Sequence, residues 1–167
     1  MSKLILIRHA KSDWSGNVND LQRGLNKRGY NSCKVISEEL KKRIDKPDLF
    51  LISPALRAQL TYENIFLNWD DKDNNLLIEE DLYYASTDQI KKKLTAKVIG
   101  FRNVVIIGHN PILNLLMYEL TTKGHNKLPT NLVTCGVVMI EYSENNFKKP
   151  DFTNGEVVDY FFPRMFT

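Results

Sequence analysis

The sequence predicts an α/β fold, a three-layer α/β/α sandwich in which helices cover both faces of a mostly parallel central sheet. Three short apolar runs, at residues 3–8, 48–53 and 104–108, have the composition of strands buried on both faces. Helical patterns alternate with these runs, and this alternation is typical of parallel strands joined by crossover helices. The chain has 167 residues, the size of one domain, so we expect residues 1–167 to form a single unit.

The first two predicted helices follow the first two strands. One spans residues 26–44, where apolar side chains recur every three or four positions. The next begins at Pro54, a favourable first helical position, with Ser53 as its cap. The apolar stripe of this second helix is expected from Leu56, Leu60 and Leu67.

Two further helices and several shorter segments complete the pattern. Ser86 and Gln89 match a capping box before a helix that runs to Val98. Asn110-Pro111 opens the last helix. The remaining predicted segments are a polar loop at residues 70–75, a short strand at 76–78, strands at 132–142 and 156–162, and a turn at 145–146.

Composition and charge exclude several classes of function. The chain has 23 basic and 20 acidic side chains, a net charge of +3, with no basic run long enough for nucleic-acid binding. The first apolar run is too short for a signal peptide, and no stretch approaches the roughly 18 apolar residues of a membrane helix. Cys33 and Cys135 have no neighbouring metal-ligand pattern, so both are expected in the core, with no metal or other cofactor. We expect a cytoplasmic protein that binds neither nucleic acid nor membranes.

Ionisable residues follow the ends of all three buried strands. The first strand ends at Arg8 and His9, the second leads into Arg57, and the third leads into His109. The carboxyl ends of parallel strands meet at one edge of the sheet, where α/β proteins bind their ligands. Two arginines and two histidines beside helix N-termini favour a dianion such as phosphate. The sequence therefore predicts a phosphate site at this edge.

Three motifs carry a family resemblance. Arg8-His9-Ala10-Lys11 resembles the RHG or RHA signature of the histidine phosphatase superfamily. Residues 53–61 resemble its SPxxRAxxT segment, and residues 108–111 resemble its second histidine motif. The order and spacing of the motifs match across nearly the whole chain, which implies a fold of the phosphoglycerate mutase type.

Within the superfamily, the chain is most similar to the short SixA type of phosphohistidine phosphatase. Residues 20–29 resemble the D-x-x-R-x-L-x-x-x-G segment of that branch, and residues 82–86 are similar to another of its stretches. Between Thr61 and Val104 there is no room for the large helical insertion of mutase-like members. The chain departs from the family pattern at two places: Ala10-Lys11 replaces a common Gly-Glu, and Gly24 stands where proline is frequent.

The resemblance implies a metal-independent phosphatase in which His9 attacks phosphorus and carries the phosphoryl group as a phosphohistidine intermediate. Arg8, Arg57 and His109 would hold the non-bridging oxygens, and a backbone carbonyl would fix the tautomer of His9. The expected substrate is a phosphorylated protein carrying phosphohistidine. The alternatives are a small phosphorylated substrate, hydrolysed as a phosphomonoester on the same site, and a binding module that reads phosphate without turnover.

The proton donor for the leaving group stays open at this point. Asp81 is the first choice by alignment, with Glu80 and Asp20 as the other candidates, although each could equally be a solvated acid or half of a surface ion pair. A phosphohistidine leaving group would relax the need for an acid, because its P–N bond is already labile. The further expected contacts to substrate are Asp20, Arg23, Ser53 and Asn110.

Overall fold

The computed structural model describes residues 1–69, 75–145, 147–148, 152 and 154–167, and its core is a six-stranded sheet. The strands are β1 (Ser2–Arg8), β2 (Leu49–Ile52), β3 (Asn75–Ile78), β4 (Asn103–Gly108), β5 (Val137–Tyr142) and β6 (Glu156–Phe161). Their order is β3-β2-β4-β1-β5-β6, with β1 to β4 parallel to one another, β5 antiparallel to β1, and β6 antiparallel to β5. The prediction of a mostly parallel sheet is confirmed.

Five α-helices cover the two faces of the sheet. They are α1 (Lys27–Lys41), α2 (Leu56–Phe66), α3 (Asp81–Tyr84), α4 (Thr87–Lys97) and α5 (Ile112–Glu119). Three short 3₁₀ helices lie at Asp20–Gln22, His125–Lys127 and Pro163–Met165. The capping box predicted for α4 is present, since Ser86 accepts from the backbone of Gln89 and the Gln89 side chain accepts in return.

Alternate side chains of each central strand enter two separate cores. Ile5 and Ile7 of β1 pack against α1 and α2, whereas Leu4 and Leu6 pack against α4 and α5. The buried strands are therefore apolar on both faces, as the continuous apolar runs in the sequence predicted. This arrangement confirms the three-layer α/β/α sandwich, and among the described residues no large helical insertion separates α2 from β4.

The boundaries and burial of α2 differ from the prediction. The helix begins at Leu56 rather than Pro54, and its N-cap position is Ala55. The predicted stripe is wrong at Leu56, which is 38% exposed, and at Leu67, which is 74% exposed, whereas Leu60 packs against the core. The buried positions of this helix are Arg57, Ala58, Thr61, Ile65 and Phe66. A polar site and an apolar core share this face, so the apolar pattern alone could not identify it.

The fifth strand also starts later than predicted. Residues 132–136 form an irregular turn before β5, with Cys135 in the left-handed region at φ 59°. The backbone N–H of Cys135 donates to the carbonyls of Arg8 (3.0 Å) and His9 (3.1 Å), so this turn supports the end of β1. Both Cys33 and Cys135 are buried, as predicted. Residues 70–74 of the predicted loop and residue 146 of the predicted turn lie outside the described residues.

Candidate active site

The carboxyl ends of β1, β2 and β4 bring four of the predicted residues together. Arg8 is the register partner of Gly108 in the parallel β1–β4 pair, and the His9 N–H donates to the Gly108 carbonyl at 3.0 Å. The rings of His9 and His109 lie with their centroids 5.1 Å apart. Ser53, directly after β2, has its Oγ 2.6 Å from Nε2 of His109.

His9 is held in one orientation by its own backbone. Its Nδ1 lies 2.8 Å from the carbonyl oxygen of Ala10, and the side chain is buried, with the residue 8% exposed. The Ala10 N–H donates to Oγ1 of Thr61 at 2.9 Å, and that hydroxyl donates to the Arg57 carbonyl at 2.7 Å. The carbonyl at residue 10 can only accept, so Nδ1 carries the proton and Nε2 keeps its lone pair.

Both histidines are neutral in the free protein. Burial lowers the pKa of His9 to about 4, and the positive charges of Arg57 and Arg8 act in the same direction, against the opposing hydrogen bond to Ala10. Burial lowers the pKa of His109 to about 3, with smaller contributions from His9 and Arg57. Desolvation dominates in both cases because it penalises the charged imidazolium.

Arg57 lies in the first turn of α2 and pairs with Asp20. Its two terminal nitrogens donate to the Asp20 carbonyl (2.7 Å) and to Oδ2 of the same residue (3.0 Å). Arg23 pairs with the other carboxylate oxygen at 2.7 Å. The hydroxyl of Tyr83 also donates to Oδ2. The hydrogen bond from Tyr83, followed by those from Arg57 and Arg23, holds the pKa of Asp20 well below its usual range, although burial acts in the opposite direction.

Arg8 and Asn110 converge on one backbone carbonyl. A terminal nitrogen of Arg8 donates to the Leu132 carbonyl at 2.9 Å, and the Asn110 amide donates to the same oxygen at 2.9 Å. The Asn110 amide also donates to the Asn131 side chain at 2.9 Å. Both predicted residues therefore border the site, where the turn before β5 sets their orientation. Burial lowers the pKa of Arg8.

The structure does not bring Asp81 to this site. Its carboxylate pairs with Lys93 of α4 at 2.8 Å, next to Glu79, which pairs with Lys97. Glu80 is exposed at the position before α3. The short helix α3 was not predicted, and its geometry directs the Asp81 side chain toward α4.

Two contributors to the site were missed at the level of sequence. Tyr83 of α3 contacts Asp20 through its hydroxyl, and its ring meets His109 edge-on at 5.5 Å between centroids. Thr61 joins α2 to the loop after His9. Thr61 closes the SPxxRAxxT segment, and Tyr83 lies in the stretch at residues 82–86, so the motifs contained both without indicating a role.

The rim of the site also carries an exposed aromatic side chain. Trp14 is 73% exposed, and the Arg23 guanidinium lies 3.6 Å from the centroid of its ring.

Among the residues that the structure describes, no group of three or more His, Cys, Asp or Glu side chains is arranged to hold a metal ion. Within the same residues, no helix combines the length and the apolar character needed to cross a bilayer.

The chain is similar in structure to known proteins, although comparisons of its sequence find no match. No protein-family model matches the chain, and no curated protein sequence matches it significantly. The structure of the protein histidine phosphatase SixA complexed with tungstate aligns with a TM-score of 0.80 at 20% identity, covering 99% of both chains. A candidate phosphohistidine phosphatase SixA from Agrobacterium tumefaciens aligns with a TM-score of 0.79 at 22% identity, covering 97% of this chain and 99% of that one.

A more distant neighbour is a phosphoserine phosphatase from Entamoeba histolytica, in complex with 3-phosphoglyceric acid. It aligns with a TM-score of 0.61 at 16% identity and covers 96% of each chain. The SixA structures match better over an equal or larger share of the chain. The chain therefore shares its fold with these SixA phosphatases over nearly its whole length, in agreement with the fold that the motif resemblance predicted.

Proposed function

We propose that the protein is a phosphatase that transfers a phosphoryl group to Nε2 of His9 and then to water, and that its substrate is phosphohistidine in a protein. The observation that carries the proposal is the state of His9. It is neutral, it is oriented by the Ala10 carbonyl, and it lies beside Arg57, Arg8 and His109. A neutral imidazole with one free lone pair is the form that can attack phosphorus.

The first step exchanges one bond to phosphorus for another. The Nε2 lone pair of His9 forms a P–N bond while the bond to the leaving nitrogen or oxygen breaks, and the leaving group takes the bonding pair and a proton from solvent. In the second step, water attacks phosphorus and gives a proton to solvent, while the P–N bond breaks and its electron pair returns to Nε2. Inorganic phosphate leaves and His9 is again neutral. Two easier displacements thereby replace one difficult displacement.

Arg8, Arg57 and His109 stabilise the charge on the three equatorial oxygens. The buried Nε atoms of Arg8, Arg23 and Arg57 have no hydrogen-bond partner among the described residues, so each arginine keeps an unused N–H donor. Preorganised donors of this kind usually make the largest single contribution to phosphoryl transfer. A bound dianion also favours protonation of His109, because the opposite charge offsets the desolvation that lowers its pKa.

The available acids favour phosphohistidine over a phosphomonoester. An alkoxide leaving group needs a strong proton donor, but Asp20 is ionised and Asp81 is paired with Lys93. The Tyr83 hydroxyl is committed to Asp20. A phosphohistidine leaving group is an imidazole, which departs with less assistance because its P–N bond is labile. The site therefore suits a phosphoramidate better than a sugar phosphate.

A substrate panel tests this proposal. Turnover of a phosphohistidine peptide and of phosphoramidate is expected to exceed turnover of sugar phosphates and nucleotides in kcat/KM. Higher kcat/KM for a small phosphomonoester would reassign the site to that class. Tight phosphate binding without release of phosphate from any substrate would instead identify a binding module.

A further inference from the structure

A cavity next to Arg8 is lined by positive charge. It has a volume of about 380 Å³ and lies between the end of β1, the start of α1, the turn before β5 and the C-terminal 3₁₀ helix. Its charged lining residues, which we call the basic groove, are Arg8, Lys11, Arg28 and Arg164. No acidic side chain contributes to this lining.

The three cations beyond Arg8 are not used elsewhere in the fold. Within the described part of the chain, Lys11, Arg28 and Arg164 form no ion pair, and all three are exposed. Other basic residues, such as Lys93 and Arg43, are paired with carboxylates. Like charges that line one groove repel each other, and a bound anion would reduce this repulsion.

The backbone places the basic groove close to the candidate active site. A Cβ at Gly29 would lie 2.3 Å from the Lys11 carbonyl oxygen, so only glycine lets the first turn of α1 approach the loop after His9 so closely. Arg28, the residue before Gly29, lines the same cavity as Lys11. A second cavity of about 310 Å³ shares Arg28, Pro163 and Arg164, so the positive surface continues away from the site.

The geometry points to a docking groove for an acidic segment of the phosphorylated protein, next to its phosphohistidine. This inference rests on the proposed function, since Arg8 belongs to both places. A protein whose phosphoryl group is held by Arg8 can extend an adjoining chain into the groove, where aspartate and glutamate side chains pair with Lys11, Arg28 and Arg164. The groove would then provide selectivity and faster association rather than chemistry.

The test compares two phosphohistidine peptides, one with acidic and one with neutral residues beside the phosphohistidine. The wild type is expected to prefer the acidic peptide in kcat/KM. The triple variant K11A/R28A/R164A should lose this preference, about tenfold at low salt if each exposed pair contributes its usual amount. Its turnover of phosphoramidate, which is too small to reach the groove, should not change. The control triple variant K92A/R102A/K123A removes three exposed charges elsewhere and should keep the preference.

A binding measurement tests the basic groove independently of catalysis. The variant H9A should bind the acidic phosphopeptide more tightly than the neutral one, and K11A/R28A/R164A in the same background should abolish the difference. If the wild type hydrolyses neither peptide nor phosphoramidate, the proposed function fails while the binding preference still tests the groove. Equal binding of the two peptides, or tight binding of tripolyphosphate with no preference between peptides, would overturn the groove assignment.

Discussion

Acidification should destabilise the protein through His9, because the native state keeps this side chain neutral. Its pKa is about 4 in the folded chain and 6.5 in an ordinary setting. Between these two values the unfolded chain binds more protons than the native chain does. Stability therefore rises with pH across this window and falls as the pH drops from 6.5 toward 4.

The size of the effect follows from the pKa difference. At pH 5, the unfolded chain gains about 2 kcal/mol from protonating this one histidine, since each pKa unit corresponds to about 1.4 kcal/mol. His9 is only 8% exposed, so solvent screening removes little of this amount. His109 acts in the same direction, with a pKa of about 3.

Urea unfolding of wild type and H9N at pH 8, 7, 6 and 5 measures the contribution of His9. The wild type should lose about 2 kcal/mol more than H9N between pH 8 and pH 5. The variant H125N, which removes an exposed histidine away from the site, serves as the control for the loss of one histidine. Parallel curves for wild type and H9N would refute a neutral, desolvated nucleophile.

Three other predictions follow from the site. R57A should lower kcat/KM by about 10²–10³ in steady-state assays, because one donor to the developing charge is lost. The control R102A, at an exposed position, should leave kcat/KM unchanged. Y83F should raise the pKa of Asp20 toward its usual value in a carboxyl NMR titration; no change would show that Tyr83 does not hold the carboxylate. EDTA should leave turnover unchanged, and a strong loss restored by added metal would reveal a metal requirement.

The fold and the gathering of Arg8, His9, Arg57 and His109 could be predicted because local and global signals agree there. Continuous apolar runs define buried parallel strands, and parallel strands place their carboxyl ends side by side. Residues directly after those strands must then meet, wherever the intervening helices lie. The motif residues are close to the strand ends, so small errors in helix boundaries did not displace them.

The rest of the site depended on features with no local signal. Asp81 and Tyr83 are two positions apart, and side chains at that spacing point in different directions from a helix, so without knowledge of α3 the sequence could not decide which of them faces Asp20. The face of α2 was mistaken because Arg57 and Thr61 are buried for the site, against their polarity. The turn before β5 looked like a strand because its residues are apolar, yet Cys135 adopts a left-handed conformation there to support Arg8.

The most direct measurement is rapid quench with a phosphoryl-labelled substrate, followed by mapping of the labelled residue by mass spectrometry. The wild type should trap an acid-labile phosphoryl group on His9. H9A should trap none and should not turn over, while still binding phosphate in calorimetry. Label on another residue, or wild-type turnover in H9A, would contradict the assignment of His9 as the nucleophile.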